Sequence, residues 1–413
     1  MARHDDAPPL TEMLTAVGGE GIKDLLREVV RDALQELIEE ELTATIGAAK
    51  HERTGTRTAQ RNGGRDRLVS TPAGDVELKI PKLRKGSFFP ELLEPRRRVD
   101  RALWAVIMTA YVTGTSTRKV DDLVRALGCE SGVSKSTVSR ICVEIDEQVA
   151  VLRERRLDHT DMPYVFLDAT YVKARVNHQV VSRAVIIATG VTADGGREVL
   201  GVDVGDSEDE LFWTGFLRSL KDRGLAGVRL VISDAHAGLK AAAARVLQGA
   251  AWQRCRVHLM RNLLGCVPKG QGEMVAALVR TIFAQTDADA TRAQLRQVVE
   301  TLERNFSKAA ELLADAEHDV TAYAAFPRAH WRKIWSTNPL ERVNKEIKRR
   351  TNVVGVFPND TSVIRLVGAV LAEVHDDWQV ADRRYLSEGS MALLATPPTQ
   401  EIDTTNTREL PAA

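Results

Sequence analysis

Three carboxylates stand at the ends of separate segments of this chain. Asp168 closes the apolar run YVFLD, Asp234 closes RLVISD, and Glu341 opens the basic stretch ERVNKEIKRR. Hard divalent cations take oxygen ligands, and Mg²⁺ is held by a few carboxylates while keeping waters and phosphate oxygens. Two such ions close together activate an attacking oxygen and stabilise the leaving one in phosphoryl transfer. The three acids can do that chemistry if the fold brings them together, so the elements that carry them decide the matter.

Each acid also has a plainer reading. Asp168 follows Tyr-Val-Phe-Leu and precedes Ala169–Thr170–Tyr171. That context predicts a half-buried strand, where a carboxylate is costly unless paired or bound to metal. Asp234, between a strand and a helix, suits an N-cap. Asn338 can cap the next helix, with Pro339 at its first position and Glu341 at the capping-box position. Glu346 competes for the third role but lies about 140° further around the helix. Arg342 and Arg350 stand four residues either side of Glu346, which fits surface ion pairing. Cys255-x-x-His258 invites zinc, yet structural zinc takes four ligands, and beyond the nearby Cys266 no second clear pair is present. His258 orienting a phosphate or a water, or simple packing, are the other readings.

The positioning elements follow from periodicity. YVFLD, VVSRAVIIATGV and REVLGVDVG read as three β-rich runs, with Asp194–Gly195–Gly196 as a turn. SEDELFWTGFLRSLKDRG reads as a helix ended by Gly224, RLVIS as a fourth strand and HAGLKAAAARVL as a helix. AAWQRCRVHLMRNLL reads as a short fifth strand running into a helix. This is the α/β element order of an RNase H-like fold. Such a fold sets a carboxylate on the first strand beside one at the end of the fourth, with a third on a helix after the fifth. Residues 266–330 read as an all-α insertion that interrupts this core, whose parts are 160–265 and 331–390. The polar tail, 391–413, reads as disordered.

The N-terminal region is mainly α. Residues 1–18 read as frayed. Apolar residues recur at helical spacing from Gly21 to Ile46, for packing within the domain or against a second subunit. Residues 51–98 read as irregular, short-stranded and basic. Arg57, Arg61 and Arg65 sit there among Gly, Thr and Asn, as do Arg53 and the run PRRR, suited to phosphate contact or to a merely solvated loop. Within 99–155, a helix ending at Gly128 and a second capped by Ser134 make a helix-turn-helix pattern. The first turn of the second helix, with Lys135, Ser136, Ser139 and Arg140, would face base edges.

Bulk properties bound the rest. A chain of 413 residues is long enough for two or three domains, and 44% hydrophobic with 28% charged residues is ordinary for a globular protein. Net charge is zero, so only local basic stripes suit a polyanion. Four cysteines make no disulfide framework and point to a reducing compartment. MARHDDAPPL has no signal-peptide core and no apolar run is long enough to span a membrane, which predicts a cytoplasmic protein.

These residues carry a resemblance. RNGGRDR, STPAGDVELKIPKLRKGSFFP, GTSTRKVDDLV, VSKSTVSRI, LDATYVKAR, EVLGVDVGDSEDELFW, VISDAHAGL, QRCRVHLMRN and STNPLERVNKEIKRR resemble transposases of the Mutator-like class of bacterial insertion sequences. The likeness covers nearly the whole chain. It implies a DNA-cleaving and joining enzyme with an acid triad on an RNase H-like core, and an α-helical insertion between the second and third acids. The triad falls on Asp168, Asp234 and Glu341, and the Cys-x-x-His signature on Cys255 and His258 as auxiliary active-site residues. The expectation is two Mg²⁺ ions, replaceable by Mn²⁺, with Asp168 bridging both and Asp234 and Glu341 holding one each. The expected partners are the element's terminal inverted repeats and target duplex DNA, with a homo-oligomer assembled on them. Arg342, Lys345, Lys348 and Arg349 are expected on the DNA backbone. A non-catalytic DNA-binding regulator and a purely hydrolytic nuclease of the same fold are the competing classes.

Overall fold

The computed structural model describes residues 19–52, 54, 55, 57–91, 93, 101–112, 117–126, 129 and 135–394. Expectations for residues 1–18, for Arg53, for the PRRR run, for Gly128 and Ser134, and for the tail beyond 394 lie outside the described residues. The chain divides into two compact units, 1–143 and 144–413.

In the first unit, helix α1 (Gly19–Ile46) is followed by an antiparallel hairpin of β1 (Arg61–Thr71) and β2 (Gly74–Leu83). β2 contains the run VELKIPKL, whose alternation reads as a strand, whereas β1 extends for 11 residues through Gly63–Gly64, where the sequence reads as a turn in irregular chain. The first half of β1, RNGGRDR, holds no apolar residue and so shows no alternation; its pairing with β2 makes it a strand. Ile38 packs with Val69, Val76, Leu78 and Ile80, while Gln35 hydrogen-bonds the Lys79 backbone through both ends of its amide, at 3.1 and 2.9 Å. The second half of α1 therefore packs within its own unit, whereas Leu26, Val29 and Leu37 stay exposed. Helices α2 (Arg101–Val112), α3 (Thr117–Ala126) and α4 (Lys135–Glu154) follow, and the residues of α4 from Glu144 belong to the second unit.

The second unit is built on a six-stranded mixed sheet. Strands β3 (Tyr164–Val176), β4 (Gln179–Val191) and β5 (Arg197–Gly205) form an antiparallel meander. The turn between β3 and β4 is Asn177–His178, both at positive φ, the twist that a two-residue hairpin needs. Strand β6 (Leu230–Ser233) runs parallel to the start of β3, and β7 (Ala251–Arg254) parallel to β6. The path across the sheet is β5-β4-β3-β6-β7. A sixth strand that the periodicity did not show, β8 (Val356–Phe357), pairs with β3 further along, at Lys173 and Ala174.

Alternation along β3 separates two cores. Val165 and Leu167 face a cluster with helices α5 (Glu210–Asp222) and α6 (Ala237–Val246), through Trp213, Phe216, Leu217, Leu239 and Ala242. Tyr164 and Phe166 face the opposite cluster, whose helical residues include Leu340, Val343, Ile347, Val363 and Leu366. Between β7 and that second face comes an all-helical stretch with its own core. Helices α7 (Arg256–Gly265), α8 (Gly272–Arg280), α9 (Ala288–Glu303) and α10 (Ser307–Asp315) bury Leu259, Leu263, Val275, Val279, Leu295, Val298 and Leu313 together. Helices α11 (Asn338–Val354) and α12 (Asp360–Gln379) then return to the sheet. The short helix Glu388–Ala392 carries Met391 into the core, so packed chain continues past residue 390. Among the described residues no helix is long and apolar enough to cross a membrane.

Candidate active site

Two of the acids are brought together by strand register. The last paired residues of β3 and β6 are Phe166 and Ile232; two positions beyond them on each chain come Asp168 and Asp234. Past Phe166 this edge of β3 has no strand partner among the described residues until β8, which leaves Asp168 beside an opening in the sheet. Pleating gives Asp168 the parity of Phe166, on the face that α11 covers. From α11, Asn344 Nδ2 donates to Asp168 Oδ2 at 2.8 Å, and the backbone N–H of Ala169 donates to Oδ1 at 2.9 Å.

Asp168 is only 8% exposed. Burial pushes its carboxyl up to about 6, against the pull of the Ala169 N–H and of His258, and the negative charges of Asp234 and Glu208 raise it further. A buried carboxylate with two acidic neighbours and few donors is stabilised by a cation. Asn344 Oδ1, an acceptor beside it, is buried without a hydrogen-bond partner among the described residues. An all-oxygen donor set with an unsatisfied acceptor fits a hard divalent ion.

Glu208, on the loop between β5 and α5, is the member of this group that sequence reasoning missed. Burial and the charge of Asp234 raise its carboxyl, opposed by Tyr171 and His236. Burial and Glu208 in turn push the Tyr171 hydroxyl up to about 12. Gly238 allows the approach: a Cβ there would lie 2.8 Å from Glu210 N and 2.9 Å from Glu208 O. The start of α6 therefore packs directly on the Glu208–Glu210 backbone, bringing that loop towards Asp234. The cap reading of Asp234 is corrected at the same place. The N-cap of α6 is His236, two residues on, because the chain stays extended through it before turning helical.

The third acid keeps different company. β7 ends at Arg254, and Cys255 N donates to Ser233 O at 2.7 Å, so Cys255 stands next to the end of β6. Cys255 is the N-cap of α7 and His258 its third residue, the spacing at which two side chains at a helix start meet. The donor atoms of Cys255, His258 and Glu341 all lie within 4.8 Å of one another. Asp168 and Asp234 are outside that trio; His258 links the groups, since it acts electrostatically on Asp168. Burial raises the Cys255 thiol, but hydrogen bonds from His258 and Thr337 outweigh it, and the net shift is downward. The Cys255 hydrogen bond in turn raises the imidazole of His258, against burial, with Asp168 and Asp234 adding to the rise.

The expected capping box at Glu341 is also corrected. The N-cap of α11 is Thr337, not Asn338, and its side chain makes no cap bond. Thr337 Oγ1 and N turn to Cys255 Sγ instead, at 3.4 and 3.3 Å. Glu341 is then the fourth helical residue, past the capping-box position, and its carboxylate stays beside Cys255 and His258. Glu346 behaves as surface ion pairing predicts, though its partners are Arg349 and Arg350, not Arg342. Those two guanidiniums hold its carboxyl down at about 2.

Of the expected DNA-contacting residues, Arg342, Lys345, Lys348 and Arg349 are exposed on α11. In the first unit, Arg57 hydrogen-bonds Ala59 O and Glu52 O, and Arg61 hydrogen-bonds Ala48 O and Thr43 Oγ1. Arg65 is exposed, its guanidinium 5.9 Å from the centre of the Phe89 ring. Ser136 and Ser139 are exposed on α4 and Arg140 is half-buried; the Lys135 side chain lies outside the described residues.

The family described as Transposase, Mutator family, matches residues 8–381 of this chain. The chain belongs to that family. Among similar Mutator-family proteins is the transposase for insertion sequence element IS1081 of Mycobacterium tuberculosis, 46% identical over 94% of each chain. The transposase for IS406 of Burkholderia multivorans is 40% identical over 92% of this chain and 97% of its own. The transposase for IS256 in transposon Tn4001 of Staphylococcus aureus is 38% identical over 88% and 93%. This member of the transposase family is thus similar to insertion sequence transposases over nearly its full described length.

Proposed function

We propose that this transposase binds the terminal inverted repeats of its own insertion sequence and performs divalent-metal-dependent cleavage and strand transfer at Asp168, Asp234 and Glu341. The observation that carries the reading is the pairing of Asp168 with Asp234 at matched positions beyond the last β3–β6 pair, in a chain of this family. The strand path β5-β4-β3-β6-β7 supports an RNase H-like core, and helices α3 and α4 support a helix-turn-helix.

Water attacks the phosphodiester at the element end and frees a 3′-hydroxyl, which then attacks a phosphodiester of target DNA and expels its 3′-oxygen. Mg²⁺, or Mn²⁺ in its place, would be held by Asp168, Asp234 and Glu341 with Glu208 alongside, and would stabilise charge on the attacking and leaving oxygens. Asn344 fixes the Asp168 carboxylate. His258, its imidazole raised by the Cys255 hydrogen bond, is a donor for a phosphate oxygen. Lys345 and Lys348, four and seven residues after Glu341 and so on its side of α11, grip the DNA backbone. Two ends and a target require the protein to act as an assembly of copies.

The test combines a labelled duplex from the element end, a plasmid and Mg²⁺. Joined product is expected, and Asp168→Asn lowers it by ~10³-fold or more while duplex binding is retained. Joining that survives this change sinks the metal mechanism, and plasmid hydrolysis without joining favours the nuclease.

A further inference from the structure

The trio at the start of α7 has a donor set unlike that of the strand-borne acids: one sulfur, one nitrogen and one oxygen. Thiolate and imidazole donors select zinc-like ions over Mg²⁺, which takes oxygen. In tetrahedral zinc sites, bonds of about 2.3 Å to sulfur and about 2.0–2.1 Å to nitrogen and oxygen put donor atoms roughly 3.3–3.7 Å apart. Donors already within 4.8 Å of one another reach that spacing by small side-chain rotations.

Two further observations point to a ligand. His258 Nδ1 is buried with no hydrogen-bond partner among the described residues. Cys255 Sγ accepts from both N and Oγ1 of Thr337, at 3.3 and 3.4 Å, the kind of outer contact that orients a metal-binding sulfur. The shared residue is Glu341, which the proposed function assigns to Mg²⁺.

We propose that Cys255, His258 and Glu341 form an exchangeable three-ligand site for a thiophilic divalent cation such as Zn²⁺, and that its occupancy withdraws Glu341 from the Mg²⁺ group and switches strand transfer off. The binding half stands on the trio alone; the switching half rests on the transposase reading. Three protein ligands leave the fourth position to water, so the ion exchanges where a four-ligand structural zinc would not. Bound there, it also occupies His258 and removes its phosphate contact.

The test uses the full chain and Co²⁺ as a spectroscopic probe. One equivalent is expected to bind with a thiolate-to-cobalt charge-transfer band and to be displaced by Zn²⁺. The band is lost in Cys255→Ser and His258→Asn, each checked for folding by circular dichroism, and retained in Cys142→Ser and Cys266→Ser. Zinc far below the Mg²⁺ concentration is then expected to cut joining by about tenfold or more, and that inhibition ratio falls towards one in Cys255→Ser. A missing band, or one that survives Cys255→Ser, overturns the site. A band with joining indifferent to zinc overturns the switch. Wild-type protein that shows the band but joins no DNA in Mg²⁺ alone refutes the transposase reading, and with it the switch, while upholding the site.

Discussion

The strand-borne acids and the trio at the start of α7 share one neighbourhood but hold charge in different ways. Asp168 is buried, fixed by Asn344 and its own neighbour's N–H, and pressed by Asp234 and Glu208, so its charge is held at a cost. In the trio, Cys255 and His258 shift towards their charged forms through each other. One group is left with its negative charge crowded and buried; the other supplies its own compensation. The contrast fits the first group to the Mg²⁺ chemistry proposed for it and the second to the softer ion proposed there.

The largest effect that can break this contrast is on stability against pH. Asp168 titrates near 6 in the fold and near the ordinary carboxylate value when unfolded, so its contribution is full below about pH 4 and is lost as pH rises through about 6. Metal-free protein should lose roughly 3 kcal/mol from this residue across that window, and thermal melts of Asp168→Asn should lack that loss. Identical pH profiles for the two proteins would show that the acid cluster carries no strain.

Next comes a comparison within α11. Glu341→Gln should lower strand joining by ~10²-fold, while Glu346→Gln should leave joining within about threefold and cost ~1 kcal/mol in denaturant melts. The second cost arises because Arg349 and the buried Arg350 lose a partner. The opposite ranking assigns the third acid to Glu346.

Glu208→Gln should be milder. It relieves repulsion on Asp168 and should lower joining by about tenfold with a raised Mg²⁺ requirement. No change in the Mg²⁺ dependence removes Glu208 from the metal group. The smallest effect concerns DNA grip. Lys345→Ala should reduce the salt slope of DNA binding by about 0.9, whereas Arg349→Ala should leave it nearly unchanged because Glu346 already occupies that guanidinium. Equal slopes for both variants would remove the distinction between the two positions.

Much of this was legible in the residues. Asp168 and Asp234 end apolar runs, and such runs become strands because only a sheet buries them on both faces. The stretch after Cys266 reads as helix-rich for want of strand signals, and helices there share a core that also takes in Leu259 and Leu263. Glu208 was not legible: Asp206, Glu208, Asp209 and Glu210 crowd one short loop and the start of α5, and nothing local says which one turns towards Asp234. Asn344 had a signal in its i+3 spacing from Glu341, but a neutral side chain attracts no attention in a search for acids. The caps of α6 and α11 were displaced by one or two residues for a local reason at each. The chain stays extended through His236 before α6, and the Thr337 hydroxyl turns to Cys255 instead of capping its helix.

By itself the sequence determined most of the elements of the second unit, their order along the chain, and the candidate acids Asp168, Asp234 and Glu341, since periodicity and side-chain type are local properties. Only the tertiary structure decided which of those residues share a group. Glu341 lies 107 positions after Asp234 in the chain, and no spacing rule reaches that far. The packing of α11 on the Phe166 face of β3, and the backbone contact of Cys255 with Ser233, set Glu341 against Cys255 and His258 and placed Asn344 on Asp168. These are consequences of burying two faces of one sheet, and burial is a property of the whole chain.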